Sequence, residues 1–434
     1  MVGSEIVKIS YIISIVMLLS LTLARSSGYI VSTVFGAIGL PKGYYSALIM
    51  VMALPFIYII LLSAKKSIVK PFWLVSKYWL PWIVYLFIAG LPTAEGVWKL
   101  QMYIGIVLLP AMLIVLMALA DPVVFQKYFM KVLLFLNIII LAIIYFNIVK
   151  VNVIEGAEGI ERLIWLSRGI GLSIAYILIT SAWRKHIVLN AALVVVLFSI
   201  MIYIGSRGPV ISLLLTIGFF FAVKNRKNIT TIILSTLTTI ILIIAFLNVG
   251  YLTDFTRSFA IHGKTAAARG QTVAIHRNTS KITHFADDRL SAYTPTLRIF
   301  GDHPLVGVGL GQWWKSYQKE NRLPDWLKAK TIEKKMRGQM DVQYPHNIFL
   351  EILAELGIIG MVCFLLLFLP FRRIFSLSNE YNVLCLLGLL YACSSSDITQ
   401  NSAPMIFNLL SILRARGLLP SSDEDTDITR QAAS

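Results

Sequence analysis

The sequence predicts an all-α, polytopic integral membrane protein with about 12 transmembrane helices and one large loop on the outer side. The chain has 434 residues, of which 57% are hydrophobic and only 14% are charged. Apolar runs of roughly 20 residues recur along most of it, and a bilayer core accommodates one helix for each such run. The net charge of +17 does not imply nucleic acid as a partner, because the loops of basic membrane proteins usually carry such charge.

Twelve apolar runs predict the spans in chain order. The first is long for the core of a signal peptide, so we expect it to be retained as a span. The runs lie near residues 6–24, 44–63, 73–91, 100–120, 129–148, 167–183, 187–204, 209–223, 229–249, 346–369, 381–397 and 403–413.

Basic residues alternate between the two sides of the predicted bundle. Six short connections or ends on one side hold fourteen Lys and Arg, whereas the opposite short loops hold seven, among them Lys99, Arg168 and Arg207. Basic residues that flank spans prefer the cytoplasm, so we expect the first set and both termini to be cytoplasmic. This orientation divides the chain into helices 1–9 (residues 1–249), a large and partly helical outer loop (250–345), helices 10–12 (346–417) and a disordered cytoplasmic tail (418–434).

The predicted outer loop is basic, with fifteen Lys and Arg against eight Asp and Glu. Long loops do not follow the positive-inside rule, so topology does not account for this surplus. Such a basic loop suits a polyanionic or phosphate-bearing ligand, with a solvated surface as the alternative. Few helix breakers occur over 264–300, which favours a helix there. Trp313, Trp314, Tyr317 and Trp326 predict that part of the loop rests at the lipid interface.

A first motif on the outer face is the short connection 205–209, which contains Arg207. An arginine at membrane depth is costly and usually has a partner. An anionic ligand is one candidate partner, and a lipid headgroup or a structural ion pair is the alternative.

A second motif is the glycine-rich segment 302–311, preceded by Asp287, Asp288, Arg289 and Arg298. Its glycines superficially resemble a dinucleotide fingerprint, but that fingerprint requires a strand and a βαβ unit. We interpret the glycines as a backbone turn. The two adjacent acids have no third ligand at a suitable spacing, so we interpret them as surface residues rather than as a metal site.

A third motif places His346 and Asn347 on the first turn of an apolar helix, at the predicted membrane–water boundary. A histidine there could meet both a lipid-borne and a soluble substrate, or could merely cap the helix entrance. Glu351 and Glu355 lie four residues apart on the same face of this helix. Carboxylates inside a span are functional candidates, with a buried pair to a loop arginine as the structural alternative.

In this order and topology, the motifs resemble those of the O-antigen ligase/polymerase superfamily, over about residues 165–370. The resemblance implies a GT-C-like, metal-independent glycosyltransferase without a cofactor. Such enzymes act on undecaprenyl-diphosphate-linked glycans at the outer face of the bacterial inner membrane. Ligases pass the glycan to lipid A–core, whereas polymerases join repeat units. The resemblance rests on Ser206-Arg207-Gly208, Arg289 before Asp302-His303-Pro304-Leu305-Val306-Gly307-Val308-Gly309, and Pro345-His346-Asn347 before Leu356-Gly357-Ile358-Ile359-Gly360.

The resemblance also assigns roles to residues. Arg207 and Arg289 would contact the donor diphosphate, because guanidinium groups match phosphate oxygens. His346 would act as the general base toward the acceptor hydroxyl. Arg298, Asn347 and Glu355 are expected to bind substrate. A single displacement with a lipid diphosphate as leaving group implies inversion at the anomeric carbon.

Three other classes of protein compete with a ligase. The closest is a repeat-unit polymerase or a protein O-oligosaccharyltransferase of the same superfamily. A transporter or flippase is disfavoured, because charges near the middle of the spans are few, Lys77 being the clearest. A glycosyltransferase with an acidic base in its first outer loop is disfavoured, because residues 25–43 contain no Asp or Glu.

Overall fold

The chain folds into helices, and no strand occurs among the residues that the structure describes. The structure is a computed structural model. The described residues are 2–24, 45–64, 68–145, 157–180, 187–204, 207–224, 230, 233, 237–240, 281–320, 345–368, 379–395, 398–399 and 401–420.

The helices follow the predicted apolar runs closely. Eleven of the twelve runs coincide with helices, and the run 229–249 lies largely outside the described residues. The helices of the first part of the chain are α1 (Val2–Leu21), α2 (Tyr45–Ser63), α3 (Val69–Ser76), α4 (Leu80–Gly90), α5 (Ala94–Tyr103), α6 (Leu109–Ala120) and α7 (Pro122–Tyr145). Those of the second part are α8 (Ala157–Ile179), α9 (Ile187–Ile204), α10 (Arg207–Lys224), α11 (Lys281–Asp302), α12 (Trp313–Glu320), α13 (Ile348–Leu366), α14 (Glu380–Ser395) and α15 (Ser402–Ala415).

Several helices are long and apolar enough to cross a membrane. Three stretches qualify within the described ranges: Ala94–Ala120, which joins α5 to α6 through a π-helical turn, Pro122–Ala142 and Ile348–Leu366. α3 and α4 would form a fourth span, bent by 62°. These lengths agree with a membrane protein, while the number of twelve spans and their orientation stay predictions.

Local sequence signals begin these helices. The hydroxyl of Thr93 accepts a hydrogen bond from the amide of Gly96 at 3.0 Å and caps α5. The carboxylate of Asp121 accepts from the amide of Val124 at 3.0 Å and caps α7, whose first residue is Pro122. A side-chain acceptor satisfies an otherwise unpaired helical amide, and proline has no amide to satisfy at that position.

Aromatic side chains join α4, α5 and α13 into one packed unit. The indole of Trp82 donates a hydrogen bond to the hydroxyl of Tyr103 at 2.9 Å. Its ring also meets that of Phe364 edge-on, with ring centroids 5.2 Å apart. All three side chains are buried. This unit supports the C-terminal half of α13, beyond Gly357.

α13 is interrupted at Gly357, which has φ 65° and ψ −165°. The interruption leaves the carbonyls of the preceding turn without helical partners. The amides of Val308 and Gly309 donate to the carbonyls of Ala354 and Glu355, at 3.0 Å and 2.9 Å. The donors belong to residues 304–311, which we call the glycine loop.

The glycine loop also accepts hydrogen bonds from the far side of the interruption. The amide of Ile358 donates to the carbonyl of Pro304 at 2.8 Å, and that of Ile359 donates to the carbonyl of Leu305 at 3.1 Å. The backbone groups that the break frees are therefore paired with the loop, as an apolar environment requires.

Glycine is needed where the loop and α13 approach each other. At Gly307, with φ +67°, an added Cβ would lie 2.3 Å from the carbonyl carbon of Glu355. At Gly357 it would lie 2.3 Å from the carbonyl oxygen of Leu305. The interpretation of the glycines as a turn is therefore confirmed, and the turn also docks onto a helix.

A second, smaller core lies beside this contact. Trp313, Trp314 and Tyr317 of α12 are buried with Ile299 of α11 and Ala354 of α13. These three side chains do not face lipid as expected, because they fill the space between three helices. That this part of the loop rests at the lipid interface stays a prediction. Trp326 lies outside the described residues.

We predict that Gly357→Ala lowers the free energy of unfolding by about 2–4 kcal/mol, because alanine at this φ is strained and its Cβ overlaps Leu305. The measurement is SDS-induced unfolding of the purified protein, followed by tryptophan fluorescence. The matched control is Gly301→Ala in α11, where an added Cβ meets no atom within 4 Å. Equal stability of the two variants would contradict the prediction.

Candidate active site

Asn347 begins α13 as its N-cap residue. Its side-chain oxygen accepts hydrogen bonds from the amides of Phe349 and Leu350, at 3.0 Å and 3.2 Å. An asparagine in this position satisfies amides that have no partner inside the helix. The Asn347 cap therefore defines the residue at which α13 begins.

His346 stands immediately before this cap. It has φ 58° and is the only non-glycine residue with positive φ among those that the structure describes. This conformation is uncommon for a residue with a Cβ, and such strain clusters at functional sites. His346 is exposed, whereas its neighbour Pro345 is buried. The structure therefore presents an imidazole at the surface on a well-anchored backbone.

A buried ion cluster lies about one and a half to two and a half helical turns after His346 in the chain. The ammonium of Lys99 on α5 forms ion pairs with the carboxylates of Glu351 and Glu355 on α13, the latter at 2.8 Å. The side chain of Lys99 is 0% exposed, and each carboxylate side chain is 1% exposed. Spacing of four residues places both carboxylates on one helix face, as predicted. The structural alternative for Glu351 and Glu355, a buried ion pair, is therefore present. Its cation is a lysine and not the loop arginine that was expected.

Backbone amides complete the cluster. The carboxylate of Glu355 accepts from the amide of Gly311 at 3.0 Å and, at the longer distance of 3.4 Å, from that of Trp313. The carboxylate of Glu351 accepts from the amide of Ile398 at 3.0 Å. The cluster therefore ties together α5, α13, the glycine loop and the segment before α15.

These contacts offset the free-energy cost of burying charged side chains. The ammonium of Lys99 lies between the two carboxylates, and backbone amides donate to both of them. Glu355, a predicted substrate-binding residue, is thus held by protein groups inside the molecule. Its contact with substrate stays a prediction.

Further polar side chains lie near the cluster, where the glycine loop meets the start of α5. The side-chain amide of Gln312 donates to the hydroxyl of Thr93 at 2.9 Å and to the carboxylate of Glu95 at 3.3 Å. Lys315 of α12 forms an ion pair with Glu95 at 2.8 Å. These contacts link the end of the glycine loop to the start of α5.

The predicted arginines lie on two helices. Arg207 is the first residue of α10, and Arg289 and Arg298 lie on α11, which packs against α13. Arg298 is exposed, whereas the side chains of Arg207 and Arg289, like those of Asp287 and Asp288, lie outside the described part of the chain. The structure therefore brings the helix of Arg289 and Arg298 against the helix of His346.

Lys99 is a residue of the site region that sequence reasoning missed. The sequence places Lys99 in a short loop, because the predicted apolar run begins one residue later, at residue 100. The available signal was a lysine beside one span together with two carboxylates four residues apart in another. Among the described residues, no group of three or more His, Cys, Asp or Glu side chains is placed to hold a metal ion.

Arg168 is a second buried cation that had been assigned to a loop. Its side chain is only 3% exposed. The guanidinium donates to the carbonyl of Tyr391 at 3.0 Å and lies 4.7 Å from the centre of the Trp165 ring. This cation connects α8 to α14 in the interior.

The fold and site together define a helical membrane protein with an exposed histidine at the start of an interrupted apolar helix. A family model described as O-antigen ligase matches residues 192–365. This match confirms the resemblance to the O-antigen ligase/polymerase superfamily, whose members are glycosyltransferase-like enzymes of O-antigen processing. The matched segment includes all six predicted site residues but not Lys99. No match was found among curated proteins.

We predict that Lys99→Met lowers the free energy of unfolding by about 3–5 kcal/mol, because it leaves two carboxylates buried without the ammonium. The measurement is again SDS-induced unfolding. The control Lys315→Met removes an ion pair whose lysine side chain is 56% exposed, so its effect should be much smaller. A loss for Lys99→Met as small as that of the control would contradict this account of the cluster.

We predict that Asn347→Ala costs about 1 kcal/mol of stability, because two amides lose their acceptor. Asn347→Asp keeps an acceptor at the helix N-terminus and should unfold like wild type. The same unfolding assay compares the two variants. If Asn347→Ala also unfolded like wild type, the cap would not hold the start of α13.

Proposed function

We propose that the protein is an O-antigen ligase. It would transfer an undecaprenyl-diphosphate-linked O-antigen glycan to lipid A–core, at the periplasmic face of the bacterial inner membrane. The family match supports the superfamily, and the apolar helices support a membrane location. The single observation that carries an enzymatic role is the exposed His346 in a left-handed backbone conformation at the start of α13.

His346 suits the role of a general base. An imidazole titrates close to physiological pH, so its neutral form can accept a proton from a sugar hydroxyl. The Asn347 cap below it fixes the backbone, so that the imidazole approaches the acceptor from a defined position. Catalysis by a positioned base depends on such geometry.

The proposed reaction is a single displacement. The acceptor hydroxyl oxygen attacks the anomeric carbon, and the bond from that carbon to the diphosphate oxygen breaks. The hydroxyl proton passes to His346, and undecaprenyl diphosphate leaves with the bonding electrons. Attack opposite the leaving group inverts the anomeric configuration.

The arginines would stabilise the leaving group. Arg207 and Arg289 would bind the diphosphate oxygens and offset the charge that develops on them, with Arg298 as a further contact. The packing of α11 on α13 supports this role, because it brings the helix of Arg289 and Arg298 to the helix of His346. Asn347 and Glu355 would contribute to substrate binding. The proposal assigns no step to a metal ion or a cofactor.

The test is the lipopolysaccharide gel profile of a deletion strain, complemented with wild type or with His346→Ala. We expect His346→Ala to transfer glycan roughly 10²–10⁴-fold more slowly, as for removal of a general base. The gel should then show core without attached glycan, and lipid-linked chains should accumulate. Purified His346→Ala should unfold like wild type.

A matched control is His303→Ala, which removes a second exposed histidine near the end of α11. It should restore the wild-type profile. Core carrying one repeat unit in the deletion strain would identify a polymerase instead of a ligase. Wild-type transfer by both His346→Ala and Arg289→Ala would contradict the mechanism.

A further inference from the structure

The glycine loop is apolar and partly uncovered. Residues 304–311 contain no charged or polar side chain. Leu305 is 64% exposed and Val306 is 57% exposed. Exposure of two large apolar side chains to water is unfavourable. The question is therefore what covers these two side chains.

The loop meets α13 well inside its apolar length. Gly357 lies ten residues beyond the Asn347 cap, which is about 15 Å along a helix, or roughly half the 30 Å thickness of a hydrocarbon core. The loop carbonyls of Pro304 and Leu305 bond to the helix directly after this point. Measured along α13, the loop therefore makes its contacts within a candidate membrane span.

Exposed apolar surfaces of two candidate spans flank the loop. On α13, Ile358 and Ile359 are exposed, and their amides are the donors to the loop. On α4, Ile88 is exposed, and the neighbouring carbonyl of Ala89 accepts from the amide of Leu310 at 3.4 Å. The exposed side chains of the loop thus continue the exposed apolar surfaces of two candidate membrane spans.

Most amides of the glycine loop are paired with protein acceptors, which favours its immersion in lipid. Five consecutive amides, those of residues 307–311, all donate to protein acceptors. An amide without an acceptor costs several kcal/mol in hydrocarbon, so irregular backbone enters a bilayer only where protein satisfies it.

We propose that the glycine loop is a re-entrant element that binds the acyl chains of the outer leaflet through Leu305 and Val306. The last part of the predicted outer loop then dips into the bilayer between α4 and α13 and returns outward at α12. The surface that it offers is an interaction surface for lipid, and its existence does not depend on the proposed enzymatic function.

The test is nitroxide scanning of the full chain in lipid nanodiscs that hold one copy each. Cys363, Cys385 and Cys393 are first replaced with alanine, and a spin label is attached to Val306→Cys. Collision of the label with oxygen, which partitions into lipid, is compared with collision with a water-soluble nickel chelate. Val362→Cys on the exposed face of α13 is the lipid reference, and Lys319→Cys on α12 is the water reference.

We expect the label at Val306→Cys to behave like that at Val362→Cys, with an oxygen-to-nickel collision ratio severalfold higher than at Lys319→Cys. A ratio like that of Lys319→Cys would overturn the proposal and place the loop in water. Low collision with both reagents would also overturn it, because protein would then cover the loop. If Val306→Cys fails to fold, Leu305→Cys gives the same readout.

Discussion

The buried ammonium of Lys99 is the interaction on which the contacts among α5, α13 and the glycine loop depend. It offsets the charge of two carboxylates that the apolar helix α13 could not otherwise bury. Those carboxylates in turn accept amide hydrogen bonds from the glycine loop and from the segment before α15. Removal of one charge would therefore release several backbone segments together. The histidine that we propose as the general base stands directly above this cluster.

The break at Gly357 complements that electrostatic constraint with a geometric one. An uninterrupted helix would have no free carbonyls or amides to offer, and the glycine loop could not attach to it. The break divides α13 into an N-terminal half enclosed by protein and a C-terminal half with an exposed apolar face. The N-terminal half can hold a chemical group in a fixed place, while the exposed face of the C-terminal half is suited to contact with lipid.

Much of the architecture could be predicted from the sequence, because apolar runs and helix-starting residues act locally. The helix start at His346-Asn347 and the turn at residues 307–311 were found in this way. Lys99 was missed because its burial depends on partners more than 250 residues away. The environment of Trp313 was predicted wrongly for a related reason, since an aromatic cluster has the same composition at an interface and in a core. The arginine contacts stay predictions.

The sequence separation within the ion cluster has a consequence for biogenesis. Lys99 is synthesised 252 residues before Glu351, which at ordinary rates of translation is an interval of roughly 13–50 s. During this interval α5 is already made but its counter-charges do not exist. Lys99 lies near the N-terminal end of a candidate span, so its flexible side chain can reach the water at the membrane surface until then. The cluster can close only when α13 inserts, which makes this late insertion the step that completes the site.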